Sequence, residues 1–190
     1  LALFTPREFA GMFMVSANTA TAFIKRNVKS GLFVKLRNKY YTLKDTLPPH
    51  FFVANKLYQP SYVSLEMALS HYHMIPEVVY TITSVTSKPT REFVTPMGAF
   101  SYQRIKQSGY TGYAPLKVNG ATILMAEPEK ALADYLHFVD IKQHSLNDRL
   151  RLKKINRQKL VAYAKLFNSP SLLKLIDMVY AEQRKPHTIY

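Results

Sequence analysis

The residues best suited to chemistry stand close together at Glu127, Glu129, Lys130 and Asp134. Acids beside a lysine can hold a metal ion and activate water, as in metal-dependent nucleases. That chemistry wants the groups on adjacent strands, whereas here they follow a hairpin into a helix. Lys130 and Asp134 lie one helical turn apart, the spacing of an i,i+4 ion pair, which points away from catalysis. Ser61 and Ser64 have no histidine and acid at a spacing that suggests a triad, and no glycine-rich phosphate loop occurs. His71 and His73 are two apart, so on a helix they diverge, and no HExxH pairing exists. The absence of cysteine excludes disulfides, thiolate catalysis and every Cys-bearing zinc site, and it fits a cytoplasmic location. The expectation is a protein that is not an enzyme, with no metal and no cofactor.

Positive charge is the stronger signal. The chain carries a net +14, placed unevenly. Residues 1–50 hold eight basic groups against Glu8 and Asp45, and residues 51–140 hold seven of each sign. Residues 141–190 hold eleven basic groups against Asp148, Asp177 and Glu182. Two basic ends around a neutral middle suit a protein with two surfaces facing polyanions; the plain alternative is a basic, solvated surface. With 47% hydrophobic residues over 190 positions, the chain can build one large core or two small ones. No apolar run approaches the ~20 residues of a membrane span, and no signal-peptide pattern opens the sequence. The chain opens on Leu1 rather than methionine, which leaves room for a preceding helix.

The elements that must position the charge are legible near the start. Thr5 is a fitting N-cap, Pro6 suits the first helical position, and Glu8 completes a capping box. After a turn at 15–18, a helix over Ala17–Ser30 puts Ala20, Phe23, Ile24 and Val28 on one side. Its other side presents Asn18, Thr19, Thr21, Lys25, Arg26 and Lys29. Gly31 ends it, and LFVKL and YYTL form a hairpin turning at Asn38, a residue that tolerates positive φ. Helix, turn, helix and basic hairpin are the parts of a winged helix-turn-helix. Short polar side chains at a helix start can reach base edges while later Lys and Arg meet phosphates. Asn18 and Thr21 are therefore the best candidates for base contact, with Thr19 beside them. Lys25, Arg26, Lys29, Lys35, Arg37 and Lys39, with Asn38 at the turn, are candidates for the backbone.

Pro48-Pro49 marks a boundary, which predicts a winged helix-turn-helix domain over 1–48 and a mixed α/β domain over 49–190, an α+β chain ending in helices. The second domain is expected to hold a short helix over 51–58 and a longer one over 61–74. Strand character follows from Val78, with hairpins turning at Met97-Gly98 and Asn119-Gly120, a helix over 127–139 and two more after a basic stretch.

The segments FTPREFAGMF, TAFIKRNVKSGLFVKLRNKYYTL, YQPSYVSLEMALSHYHMIPE and AEPEKALADYL resemble the AbiEi family, antitoxins and transcriptional regulators of bacterial abortive-infection, type IV toxin–antitoxin operons. The resemblance covers roughly residues 4–139 and is most specific in PSYVSLEMALSHY and EPEKALADYL. It implies a winged helix-turn-helix that binds inverted repeats of double-stranded DNA in its own promoter, as an autorepressor. It also implies a C-terminal domain that counteracts a cognate nucleotidyltransferase toxin. Pairing on the repeats, as a dimer or cooperatively, is an expectation from how regulators meet such sites. Where the family often has glycine before the wing tyrosine, this chain reads Arg37-Asn38-Lys39-Tyr40. A stand-alone regulator, a module acting mainly in toxin neutralisation, and binding to structured RNA are the other readings.

Overall fold

The computed structural model describes residues 2–183, so 184–190 of the expected second domain lie outside the described residues. The chain opens with α1 (Pro6–Phe13) and α2 (Ala17–Lys29), then the antiparallel pair β1 (Phe33–Arg37) and β2 (Tyr40–Leu43). The capping box forms: the Thr5 hydroxyl accepts from the Glu8 amide at 3.3 Å and the Thr5 amide donates to Glu8 Oε2 at 2.7 Å. Met14, in the left-handed conformation, stops α1, and Ser16 caps α2. Phe4, Phe9, Ala20, Ile24, Phe33 and Tyr41 make a small aromatic core, with Phe4 bridged to Tyr41 by two 2.9 Å backbone bonds.

The larger part begins with α3 (His50–Leu57) and carries β3 (Ser61–Val63), α4 (Leu65–His71), β4 (Ile82–Thr86), β5 (Arg91–Thr95), β6 (Gly98–Arg104), β7 (Tyr113–Val118) and β8 (Ala121–Ala126). Three helices follow, α5 (Pro128–Asp140), α6 (Arg157–Lys165) and α7 (Pro170–Gln183). The sheet is mixed, in the order β5-β6-β4-β3-β8-β7, with β4–β6 and β3–β8 parallel. The architecture is thus mixed α and β, as expected for an α+β chain. Asn119 and Gly120 turn the β7–β8 hairpin with φ of 48° and 77°, the conformation that Asn-Gly favours.

Two expectations are corrected. The helix predicted over 61–74 starts only at Leu65, because Ser61–Val63 forms a strand inside the sheet. All three of those residues are buried, and tertiary pairing with β4 outweighs local helical preference. Strand character predicted from Val78 begins only at Ile82, and Val78 and Tyr80 are exposed.

The hairpin is shared between the two parts. Phe33 and Tyr41 face the small core, whereas Leu36 is buried in the large one and Val34 and Tyr40 pack against it. The acid-and-lysine group divides into two separate sets of contacts. Lys130 and Asp134 form an ion pair with both side chains fully buried. Asp134 Oδ2 also accepts from Ser64 Oγ at 2.8 Å and from the Tyr62 hydroxyl at 3.1 Å. Burial pushes the Asp134 carboxyl up, against the pull of Lys130, Ser64 and Tyr62. Glu127 and Glu129 turn elsewhere: Glu127 accepts from the Tyr163 hydroxyl at 2.5 Å and pairs with Lys159 at 3.0 Å, while Glu129 accepts from the Asn156 amide at 3.1 Å.

His144 Nδ1 lies 2.5 Å from Glu66 Oε1, tying the loop after α5 to α4. The hydrogen bond to Glu66 raises the imidazole pKa above its ordinary value, against an opposing effect of burial. The folded chain therefore holds this proton more tightly than the unfolded one. The resulting stability is complete below the unfolded pKa of about 6.5 and is lost as pH rises through the folded value. Relative to the parent, His144→Gln should be less stable at about pH 5.5, and the gap should close by about pH 8.5. A gap independent of pH in thermal melts would refute this.

Candidate nucleic-acid interface

Between Glu8 and Asp45 the chain has no acid and seven Lys or Arg residues, and all of these lie on α2, the hairpin or just beyond it. The burial of Ala20 and Ile24 fixes the rotation of α2 and turns Asn18, Lys25 and Lys29 to solvent. The first turn of α2 contains no acid, so the positive end of its dipole beside Asn18 is not neutralised.

The predicted contact residues divide into groups. Asn18, Lys25 and Lys29 share the outer face of α2, while Lys35, Asn38 and Lys39 are exposed on the hairpin. Lys25, Lys29, Lys35 and Lys39 join no ion pair among the described residues. Thr19 and Thr21 spend their hydroxyls on the helix itself. Thr19 Oγ1 lies 2.8 Å from Ser16 Oγ, and Thr21 Oγ1 donates to the Ala17 carbonyl at 2.8 Å. Arg26 leans over Phe23, its guanidinium carbon 5.7 Å from the ring centre. Arg37 is drawn to the junction between the two parts, 5.0 Å from the Tyr40 ring centre and 4.7 Å from that of Phe93. No local pattern signals this placement of Arg37, because Phe93 is more than fifty positions away. Ser16, which caps α2, is a further residue of this turn, and a serine directly before an apolar-periodic helix is the signal for it.

The hairpin turn differs from the expectation in one respect. Positive φ falls on Lys39 at 68°, not on Asn38. A lysine side chain in that region costs about 1 kcal/mol relative to glycine. Lys39→Gly should therefore raise the melting temperature by roughly 2–4 °C for a chain of this size. An unchanged or lower melting point would show that the turn carries no such strain.

Beside α2, an open apolar groove of about 460 Å³ is lined by Phe9, Met12, Phe13, Phe23 and Leu32 among others. Among the described residues no group of three or more His, Asp or Glu is placed to hold a metal ion. No helix there is long and apolar enough to cross a membrane. Neither a protein-family model nor a curated protein matches the chain.

Proposed function

We propose that this protein is a DNA-binding transcriptional autorepressor of the AbiEi type, with α2 as recognition helix and the β1–β2 hairpin as wing. The observation that carries the reading is the acid-free face on which Asn18, Lys25 and Lys29 stand together beside an exposed basic hairpin. Asn18 reads a base edge, since an amide side chain can pair with adenine in the major groove. Lys25, Lys29, Lys35 and Lys39 hold phosphates and set the register. The protein does no chemistry of its own in this reading, and its place is the cytoplasm.

Fluorescence anisotropy with duplexes from upstream of the coding sequence tests it. Binding should prefer one duplex over a scrambled control. It should also weaken with salt, at a log–log slope of about −0.9 for each phosphate contacted. Equal affinity for the scrambled duplex, or a slope near zero, would refute the reading.

The antitoxin role is the second part of the proposal, supported by the resemblance in PSYVSLEMALSHY and EPEKALADYL. Co-expression with a nucleotidyltransferase encoded beside the gene should restore growth. Deleting the N-terminal part would uncover the Leu36 contact with the large core, so a charge variant on α2 separates the two roles more cleanly. Rescue that survives loss of DNA binding assigns neutralisation to the C-terminal part.

A further inference from the structure

The loop over 146–155, between α5 and α6, carries alternating cations and leucines. Leu150 and Leu152 are buried, and Arg149, Arg151 and Lys153 are exposed. Arg149 is engaged by Glu77. The Arg151 amide donates to the Met74 carbonyl at 2.7 Å, which stitches the loop to the turn that follows α4. Between them lies a pocket of about 430 Å³.

One side of the pocket is cationic. Arg151, Lys153 and Lys154 line it, and none of them joins an ion pair among the described residues. His71 and His73 add two imidazoles, and no acid is among the lining residues. Pro128, in the first turn of α5, closes one wall. The two acids of that turn are occupied, Glu127 by Lys159 and Tyr163, Glu129 by Lys159 and the Asn156 amide. The remaining surface is mostly apolar, formed by Met74, Ile155 and Tyr72, whose hydroxyl donates to the Ala126 carbonyl at 2.8 Å.

Cations without counter-charges around a concave, partly apolar space call for an anion with an organic body. The volume falls within the roughly 300–1,000 Å³ of small-molecule sites. A duplex backbone, by contrast, is followed by an open charged track. We propose that this pocket binds a small phosphorylated ligand, its phosphate held by Arg151, Lys153 and Lys154 and its organic part laid against Met74 and Ile155. The site uses none of the residues assigned to DNA and stands whether or not that reading holds.

The test is calorimetric titration of the full chain with ATP and with inorganic pyrophosphate at constant ionic strength, with sulfate as reference. Both should bind at least about tenfold more tightly than sulfate. ATP should also shift the ring resonances of His71 and His73 in NMR spectra. The triple variant Arg151→Ala/Lys153→Ala/Lys154→Ala should weaken ATP binding by about tenfold or more, and Lys165→Ala/Lys174→Ala, on α6 and α7, should not. If the triple variant melts early, Lys153→Glu/Lys154→Glu, which keeps Arg151, gives the same reading. ATP affinity unchanged in these variants, or unmoved histidine resonances, overturns the proposal. So does a triple variant that loses duplex DNA when the parent never bound ATP, since the cations would then belong to a nucleic-acid surface.

Discussion

Lys130→Met and Asp134→Leu should each cost about 3–5 kcal/mol of folding stability, while the double variant recovers most of that loss. Both partners are fully buried, so removing one leaves a charge without water or counter-charge. The two single variants should not be equal. In Lys130→Met, Asp134 keeps Ser64 and Tyr62 as donors. Burial already favours its neutral form, so the defect should shrink at low pH. In Asp134→Leu the ammonium keeps only the ring faces of Tyr62 and Phe167, at 5.7 and 5.0 Å, and the Ser64 and Tyr62 hydroxyls lose their acceptor. Asp134→Leu is therefore the worse of the two. On a chain of this size the single changes correspond to drops of roughly 6–20 °C in melting temperature. Single variants costing less than about 1 kcal/mol would place the pair in the class of weak surface contacts and refute the argument.

Lys25→Glu/Lys29→Glu should lower affinity for the preferred duplex by about 100-fold or more, with the fold intact. Each lysine contributes one charge-assisted contact of about 1.5 kcal/mol, and about 1.4 kcal/mol is a factor of ten. Reversal adds repulsion to that loss, and the salt slope should become shallower by about two. Both side chains are exposed and neither packs in the small core, so thermal melts should match the parent. Asn18→Ala should behave differently, relaxing base preference by about 1–3 kcal/mol at one position while changing the salt slope little. Unchanged DNA affinity in the double charge variant would remove α2 from the interface.

Where local rules decide, the sequence was readable. Thr5 and Glu8 satisfy each other within one turn, Gly31 lies past the end of α2 in the left-handed region, and Asn119-Gly120 makes its hairpin. Partners remote in the chain decide the rest. Ser61–Val63 lies between β4 and β8, strands about twenty and sixty positions further on. The Lys130–Asp134 spacing was visible, but its burial was not, since lysine is almost never fully buried unless paired. At the candidate interface, periodicity told which face of α2 is wet. It could not tell that Ser16 and the Ala17 carbonyl engage the Thr19 and Thr21 hydroxyls or that Phe93 draws Arg37 away.

The shared hairpin changes what kind of joint connects the two parts. A domain on a flexible tether searches a volume set by linker length, and its partner feels an effective concentration that falls as the linker grows. Here Leu36, Val34, Tyr40 and Arg37 clamp the hairpin through side chains, so the covalent link at Pro48-Pro49 is not what limits reach. The joint is a bracket. Residues inserted after Leu47 would lengthen the connection without releasing the N-terminal part. For two copies on an inverted repeat, the tolerated distance between half-sites would be set by the rigid shape of the protein rather than by slack in its chain.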